Sequence, residues 1–198
     1  TYGTQIVGQY AVGLLLEICS HYAHHDAAVK EGRWENNDDW CFWDYPMIEL
    51  AGKTAGIIGL GRIGQASARI LSALGMRVLA VSPHETDAGR EVAEYTDLDT
   101  LLAESDVIFL HCPLFPETEG IINKDTIAKM KDGVIILNFA RDQLVDDEAM
   151  AWALQTGKVR RYVTDFPNDK TAGMPGVIAI PHLGASTEES EDNCARMA

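Results

Sequence analysis

Three short segments gather the side chains that could bind an anion or move a proton: Asn138-Phe139-Ala140-Arg141, Asp165-Phe166-Pro167-Asn168-Asp169 and Pro181-His182-Leu183-Gly184-Ala185. Arg141 comes just after the apolar run 134–137, where a guanidinium needs water or a paired anion, and a substrate carboxylate would supply one. His182 follows the run 177–180 through Pro181, which fixes its place in the loop. Histidine titrates near neutrality and suits general acid and base work. A histidine or an aspartate after a strand is commonly a structural loop residue. The company of Arg141 and Asp169 raises the chemical reading of His182 above the bland one.

A fourth segment points to a cofactor. Gly59-Leu60-Gly61-Arg62-Ile63-Gly64 directly follows the apolar stretch 56–58 and directly precedes the helical Gln65-Ala66-Ser67-Ala68, the context that a dinucleotide fingerprint requires. Gly59 permits a tight turn, Gly61 lets backbone approach a pyrophosphate, and Gly64 lets the helix pack closely on the strand. The helix N-terminus then faces the anion. An acid that holds the adenosine ribose is expected about 20 residues on, yet the chain has Ser82-Pro83-His84 there. No arginine follows Ser82 to attract a 2'-phosphate, so NAD is the expected cofactor, with NADP left open by the missing acid.

The elements that must position these residues alternate strand, glycine turn and helix after Leu50. That pattern predicts an α/β fold, a doubly wound parallel sheet of Rossmann type, preceded by a long linker helix. Strands are predicted at 56–59, 78–81, 107–110, 134–137, 162–164 and 177–180, with helices at 65–74, 98–104, 124–130 and 146–155. Before them, Val7, Tyr10, Ala11, Leu14, Leu15 and Ile18 recur at helical spacing, predicting one amphipathic helix over 4–25 that Gly8 and Gly13 weaken. Trp34, Trp40, Phe42, Trp43 and Tyr45 then crowd a polar stretch expected to pack as a connecting arm. Ser186-Thr187-Glu188-Glu189 reads as a capping box opening a last helix. The expected organisation is a linker helix and arm over 1–50, a dinucleotide-binding domain over 51–182, and over 183–198 the start of a helix returning to a substrate domain. The chain opens without methionine and ends on a helix lacking a terminator, so both ends read as cut.

A formal net charge of −14 over 198 residues repels phosphate backbones and anionic lipids, so no nucleic-acid or membrane partner is expected. No apolar run approaches a membrane span. Cys19, Cys41, Cys112 and Cys194 are scattered without metal-ligand spacing, which fits a reducing cytoplasm. His21, His24 and His25 have a spacing that could suit a metal, but a solvated helix face explains them, and no metal is expected.

Taken in order, Gly59 to Gly64, His111-Cys112-Pro113-Leu114, Asn138 to Arg141, Asp165 to Asp169 and Pro181 to Ser186 resemble the signature of the D-2-hydroxyacid dehydrogenases, over essentially the whole chain. The resemblance implies NAD-dependent hydride transfer between nicotinamide and a 2-hydroxy or 2-keto acid. It makes Arg141 the clamp on the substrate carboxylate, His182 the acid and base, and Asp169 the carboxylate that orients His182. It carries Arg62 and Ile63 to the pyrophosphate, Cys112 and Pro113 to the wall beside the cofactor, and Asp165 to the nicotinamide carboxamide. Ser82, Phe139, Ala140, Gly184 and Ala185 complete the expected cofactor contacts. The chain departs from the family at Asp169, one methylene shorter than the usual glutamate and in a segment one residue shorter, and at Asp142, where glycine is common.

The stretch from Tyr162 to Pro167 and the tail from Pro181 to Cys194 are most similar to the phosphoglycerate dehydrogenase branch, whereas Cys41 to Leu50 is more similar to the glycerate dehydrogenase and hydroxypyruvate reductase branch. A dinucleotide-sensing binding protein on the same scaffold is the reading from another class. Within the family the first helix joins the domains and contributes to a dimer interface, so a homodimer through that helix is expected. With part of the substrate domain outside it, the chain is expected to bind cofactor and turn over poorly.

Overall fold

The computed structural model describes residues 3–190 and residue 192. Among them, β1 (Thr54–Ile58), β2 (Arg77–Val81), β3 (Glu94–Tyr95), β4 (Val107–Leu110), β5 (Val134–Asn138), β6 (Val159–Thr164) and β7 (Val177–Ala179) form one sheet. Its order is β3-β2-β1-β4-β5-β6-β7, and every pairing is parallel. Strands buried on both faces need an apolar residue at almost every position, which is why the runs are continuous rather than alternating. Helices α1 (Thr4–Ser20) and α3 (Arg62–Ala73) cover one face, over Ile57, Val78, Phe109, Leu137 and Val163. Helices α5 (Leu98–Glu104), α6 (Lys124–Lys129) and α7 (Asp147–Thr156) cover the other, over Ile58, Leu79, Ile108, Leu110 and Ile136.

Local chemistry sets the helix starts. Asp97 accepts from Thr100 N at 2.9 Å, Asp146 accepts from Ala149 N at 2.8 Å, and Asn123 forms a capping box with Thr126. Helix α7 stops at Gly157, whose φ of 77° suits a residue without a Cβ.

The structure corrects several expectations. The helix predicted over 4–25 is two helices: His21 adopts a left-handed conformation (φ 51°), and α2 (Tyr22–Lys30) starts anew. The His21 ring lies 4.6 Å from that of Tyr45, and His24 Nε2 pairs with Asp44 Oδ2 at 2.6 Å, so contacts with the following arm accompany the turn. His25 Nδ1 bonds the His21 carbonyl. Gly8 proves a packing residue, because a Cβ there would lie 3.0 Å from Ala66 Cβ and Ser67 N of α3. The apolar face of α1, with Ala11, Leu15 and Ile18, is consequently spent inside the chain rather than exposed.

The arm also differs. Arg33 bridges to Asp44 and Ile48 N donates to Cys19 O, but Trp34, Trp40 and Trp43 stay exposed instead of packing on the chain. Strand β6 begins earlier than predicted because a register shift between Val134 and Ile135 admits the polar Arg160-Arg161 pair. The two-residue β3 and the short α4 (Asp87–Arg90) carry no apolar period. The last helix is capped by Thr187, whose Oγ1 accepts from Ser190 N at 3.2 Å, one residue beyond the expected Ser186. Its continuation over 193–198 lies outside the described residues.

Candidate functional site

Chain order reverses at β1, which lies between β2 and β4, and at such a point loops diverge to leave a crevice at the strand ends. Gly59 N donates to Val81 O and His111 N donates to Ile58 O, holding the three strand ends around the glycine turn. A cavity of about 480 Å³ opens there. Gly61, Arg62 and Ile63 line one side, Phe139 and Arg141 a second, and Asp165, His182, Gly184 and Ala185 a third. Gly3, Thr4 and Val7, at the start of α1, close it, with Gly184 packed against Val7.

Asn138 builds the arginine's loop. Its Nδ2 donates to the Arg141 carbonyl at 2.8 Å and to Tyr162 Oη at 3.2 Å, while its Oδ1 accepts from Ala140 N at 3.1 Å. The guanidinium sits 4.8 Å above the Phe166 ring and donates one N–H to Ala140 O at 2.6 Å. Such stacking suits a planar, weakly hydrated cation and leaves the rest of its fork available.

His182 has φ 52°, a left-handed conformation that histidine adopts more readily than β-branched residues. Its N–H donates to Ile180 O and its ring lies 4.3 Å from Phe166. Nδ1 pairs at 2.9 Å with Oδ2 of Asp165, a carboxylate only 3% exposed. Burial pushes the Asp165 carboxyl up from its ordinary range, against the opposing pull of His182 and then Arg141. Asp169, expected beside His182, is instead exposed and makes no hydrogen bond or ion pair with it among the described residues. Ser82, Cys112, Pro113 and Ala140 are not part of this cavity's lining, nor are Gly59 and Gly64, where an added Cβ would meet the backbone of Cys112 and of Gly59 respectively.

His111 lines the cavity, a place that strand position alone does not reveal. Its ring stacks on Phe109, Nε2 pairs with Ser67 Oγ of α3 at 3.0 Å, and Nδ1 is enclosed without a partner among the described residues. Burial holds its pKa down at about 4 against an ordinary 6.5. The unfolded chain therefore takes up this proton first as pH falls. Stability from the neutral ring is whole above about 6.5 and drains away as pH drops towards about 4, by up to about 3 kcal/mol. Urea denaturation of His111→Gln should lack that component. A variant that loses stability between those pH values as steeply as the unaltered chain would refute the assignment.

The residues fit a dinucleotide. Gly61 at the α3 N-terminus offers no side-chain cap, the first turn carries no acid, and a Cβ at Gly61 would meet nothing within 4 Å, so the approach to the helix is open to a phosphate. Asp165 Oδ1 is buried without a hydrogen-bond partner among the described residues, an acceptor that an amide N–H of a carboxamide would satisfy.

Known proteins share this sequence and fold. Residues 12–184 match the family model described as D-isomer specific 2-hydroxyacid dehydrogenase, NAD binding domain. A hydroxypyruvate reductase of Blautia hydrogenotrophica is 53% identical over 96% of this chain and 62% of its own length. A D-3-phosphoglycerate dehydrogenase of Archaeoglobus fulgidus is 40% identical over 93% of this chain and 36% of its own. The structure of D-lactate dehydrogenase from Aquifex aeolicus with NAD and lactic acid superposes with a TM-score of 0.86 at 30% identity, covering 100% of this chain and 65% of that one. This chain therefore spans less than two thirds of the proteins it resembles. With the glycine turn, the uncapped helix and the strand-end residues around one crevice, the chain belongs to the D-isomer-specific 2-hydroxyacid dehydrogenase family and carries its NAD-binding domain.

Proposed function

We propose that the protein is an NAD-dependent 2-hydroxyacid dehydrogenase that reduces a 2-keto acid, with hydroxypyruvate as the first substrate to test. The observation that carries this is the convergence of Arg141, Asp165 and His182 on the cavity that Gly61, Arg62 and Ile63 also line. Gly61, Arg62 and Ile63 would hold NADH there, which would supply the hydride that the keto carbon gains. The guanidinium of Arg141 holds the substrate carboxylate and draws charge from the adjacent carbonyl. His182 Nε2 donates the proton that the carbonyl oxygen gains, and in oxidation it takes that proton back. Phe166 sits against both side chains and keeps water from one flank of the pair.

Hydroxypyruvate ranks ahead of its phosphorylated counterpart on two grounds. The more similar of the two enzyme relatives bears the name hydroxypyruvate reductase. The arginines and lysines lining the cavity, among the described residues, are Arg62 and Arg141, which the pyrophosphate and the substrate carboxylate would occupy. A substrate phosphate would need a further cation beyond these two. Loss of NADH absorbance with hydroxypyruvate, compared with 3-phosphohydroxypyruvate, tests this. Turnover should fall by about 10²–10⁴ in His182→Ala while NADH binding is retained. NADH binding with no turnover of either acid would point to a dinucleotide sensor instead.

A homodimer is part of the same proposal, through α2 and the arm rather than α1. Tyr22, Trp34, Trp43 and Met47 are exposed and Trp40 is 85% exposed, a concentration of large apolar side chains that a second copy would cover. Cys19, Cys41 and Cys112 are free thiols, which supports a cytoplasmic setting. No helix among the described residues is long and apolar enough to cross a membrane.

A further inference from the structure

The carboxylates after β6 invite a division of labour in which Asp165 serves the cofactor and Asp169 the histidine. The folded segment does not permit it. Asn168 Oδ1 accepts from Lys170 N at 3.0 Å and from Thr171 N at 2.9 Å, and Thr171 Oγ1 accepts from Asn168 N at 2.9 Å. Asn168 Nδ2 donates to Asp147 Oδ2 at 3.0 Å, which ties the turn to the start of α7. Thr171 is 2% exposed, so the turn is anchored from inside. Asp169 is left at its exposed tip, with no hydrogen bond or ion pair among the described residues.

Asp165 lies where Asp169 was expected to reach. Its two oxygens have different surroundings: Oδ2 is 2.9 Å from His182 Nδ1, and Oδ1 is buried with no donor to accept from among the described residues. We propose that Asp165, not Asp169, is the positioning residue of His182, with Oδ2 fixing the proton on Nδ1 and Oδ1 kept for an amide donor of the nicotinamide.

An ionised carboxylate only accepts, so Oδ2 selects the ring form with hydrogen on Nδ1 and leaves Nε2 as the working nitrogen. The shared carboxylate also couples the two partners, because a cofactor amide on Oδ1 holds the carboxylate in the orientation that grips the ring. One aspartate then does what two carboxylates would otherwise divide. This inference rests on the reading of His182 as the proton carrier, but its test does not need turnover.

The test is nitrogen NMR of the chain with ¹⁵N-labelled histidine, recorded at alkaline pH, with the His182 signals assigned by their loss in His182→Gln. The unaltered chain should show His182 with hydrogen on Nδ1. In Asp165→Asn the side-chain amide can donate to the ring, and the hydrogen should move to Nε2. Asp169→Asn should leave the pattern unchanged. In parallel, NADH titration should show affinity weakened by about tenfold or more in Asp165→Ala, from loss of a hydrogen bond to a charged group. It should show no change in Asp169→Ala.

Retention of the Nδ1 hydrogen in Asp165→Asn, its displacement in Asp169→Asn, or unweakened NADH binding in Asp165→Ala would each overturn the proposal. Full turnover in His182→Gln would overturn the reading of His182 as the proton carrier, whatever the ring form, so the two failures are distinguishable.

Discussion

Gly59→Ala is expected to lower folding stability by about 3–5 kcal/mol and to abolish NADH binding, whereas Gly61→Ala should leave stability nearly intact and weaken binding alone. Gly59 has φ 99°, where a side chain is strained before any neighbour is considered. An added Cβ would also lie 2.5 Å from Cys112 N and 2.6 Å from its Cα. Both are backbone atoms, so no rotamer change relieves the clash. β1 and β4 would have to part where the crevice opens. Gly64→Ala shares this character, because its Cβ would press on the Gly59 carbonyl oxygen and lift α3 from the turn. Gly61 faces open space, and a methyl group there occupies only the approach of the phosphates. Chemical denaturation with NADH titration separates the cases. A Gly59→Ala protein of ordinary stability, or a Gly61→Ala protein that is the less stable of the two, would contradict this geometry of the turn.

The glycine turn was legible because all its constraints are local: an apolar strand, three glycines at fixed spacing and a helix start. The central strands were legible for a related reason, since burial on both faces leaves a continuous apolar run such as Val134 to Leu137. His21 was not legible, because no glycine or proline marks a stop there, and Tyr45 and Asp44, more than 20 residues on, pack at the bend. The start of β6 was hidden by Arg160 and Arg161, which a bulge admits to the strand.

At the site, residue type and strand-end position picked out Arg141 and His182, and the family resemblance added Asp165; the structure brings these three to one cavity. The partner of His182 was not legible, since it depends on how Asn168 and Thr171 fold the intervening turn. Asn138 escaped notice as a builder of the arginine loop because an asparagine after a strand reads only as a stop. His111 likewise read as part of a motif, and its burial follows from α3 packing over it through Ser67.

Arg141→Ala is expected to reduce kcat/KM for hydroxypyruvate by about 10³-fold, near 4 kcal/mol, and Arg141→Lys by an intermediate factor, with stability changed by less than about 0.5 kcal/mol in either. The separation follows from the arginine's surroundings. It is exposed, makes no ion pair among the described residues, and its loop is held by three hydrogen bonds of Asn138, to which its own guanidinium adds one, to Ala140 O. Folding therefore asks little of the side chain, while substrate binding asks for its geometry. Lysine keeps the charge but offers a point donor in place of a planar fork, and it loses the stacking on Phe166. Hydroxyacetone, which replaces the carboxylate of hydroxypyruvate with a methyl group, provides the complementary deletion. The unaltered protein should prefer hydroxypyruvate to hydroxyacetone by roughly the factor lost in Arg141→Ala, and that preference should vanish in the variant, since the two deletions remove the same interaction. If Arg141→Ala still discriminates between the two substrates, the carboxylate is held elsewhere, and Arg141 is a residue of the cofactor wall.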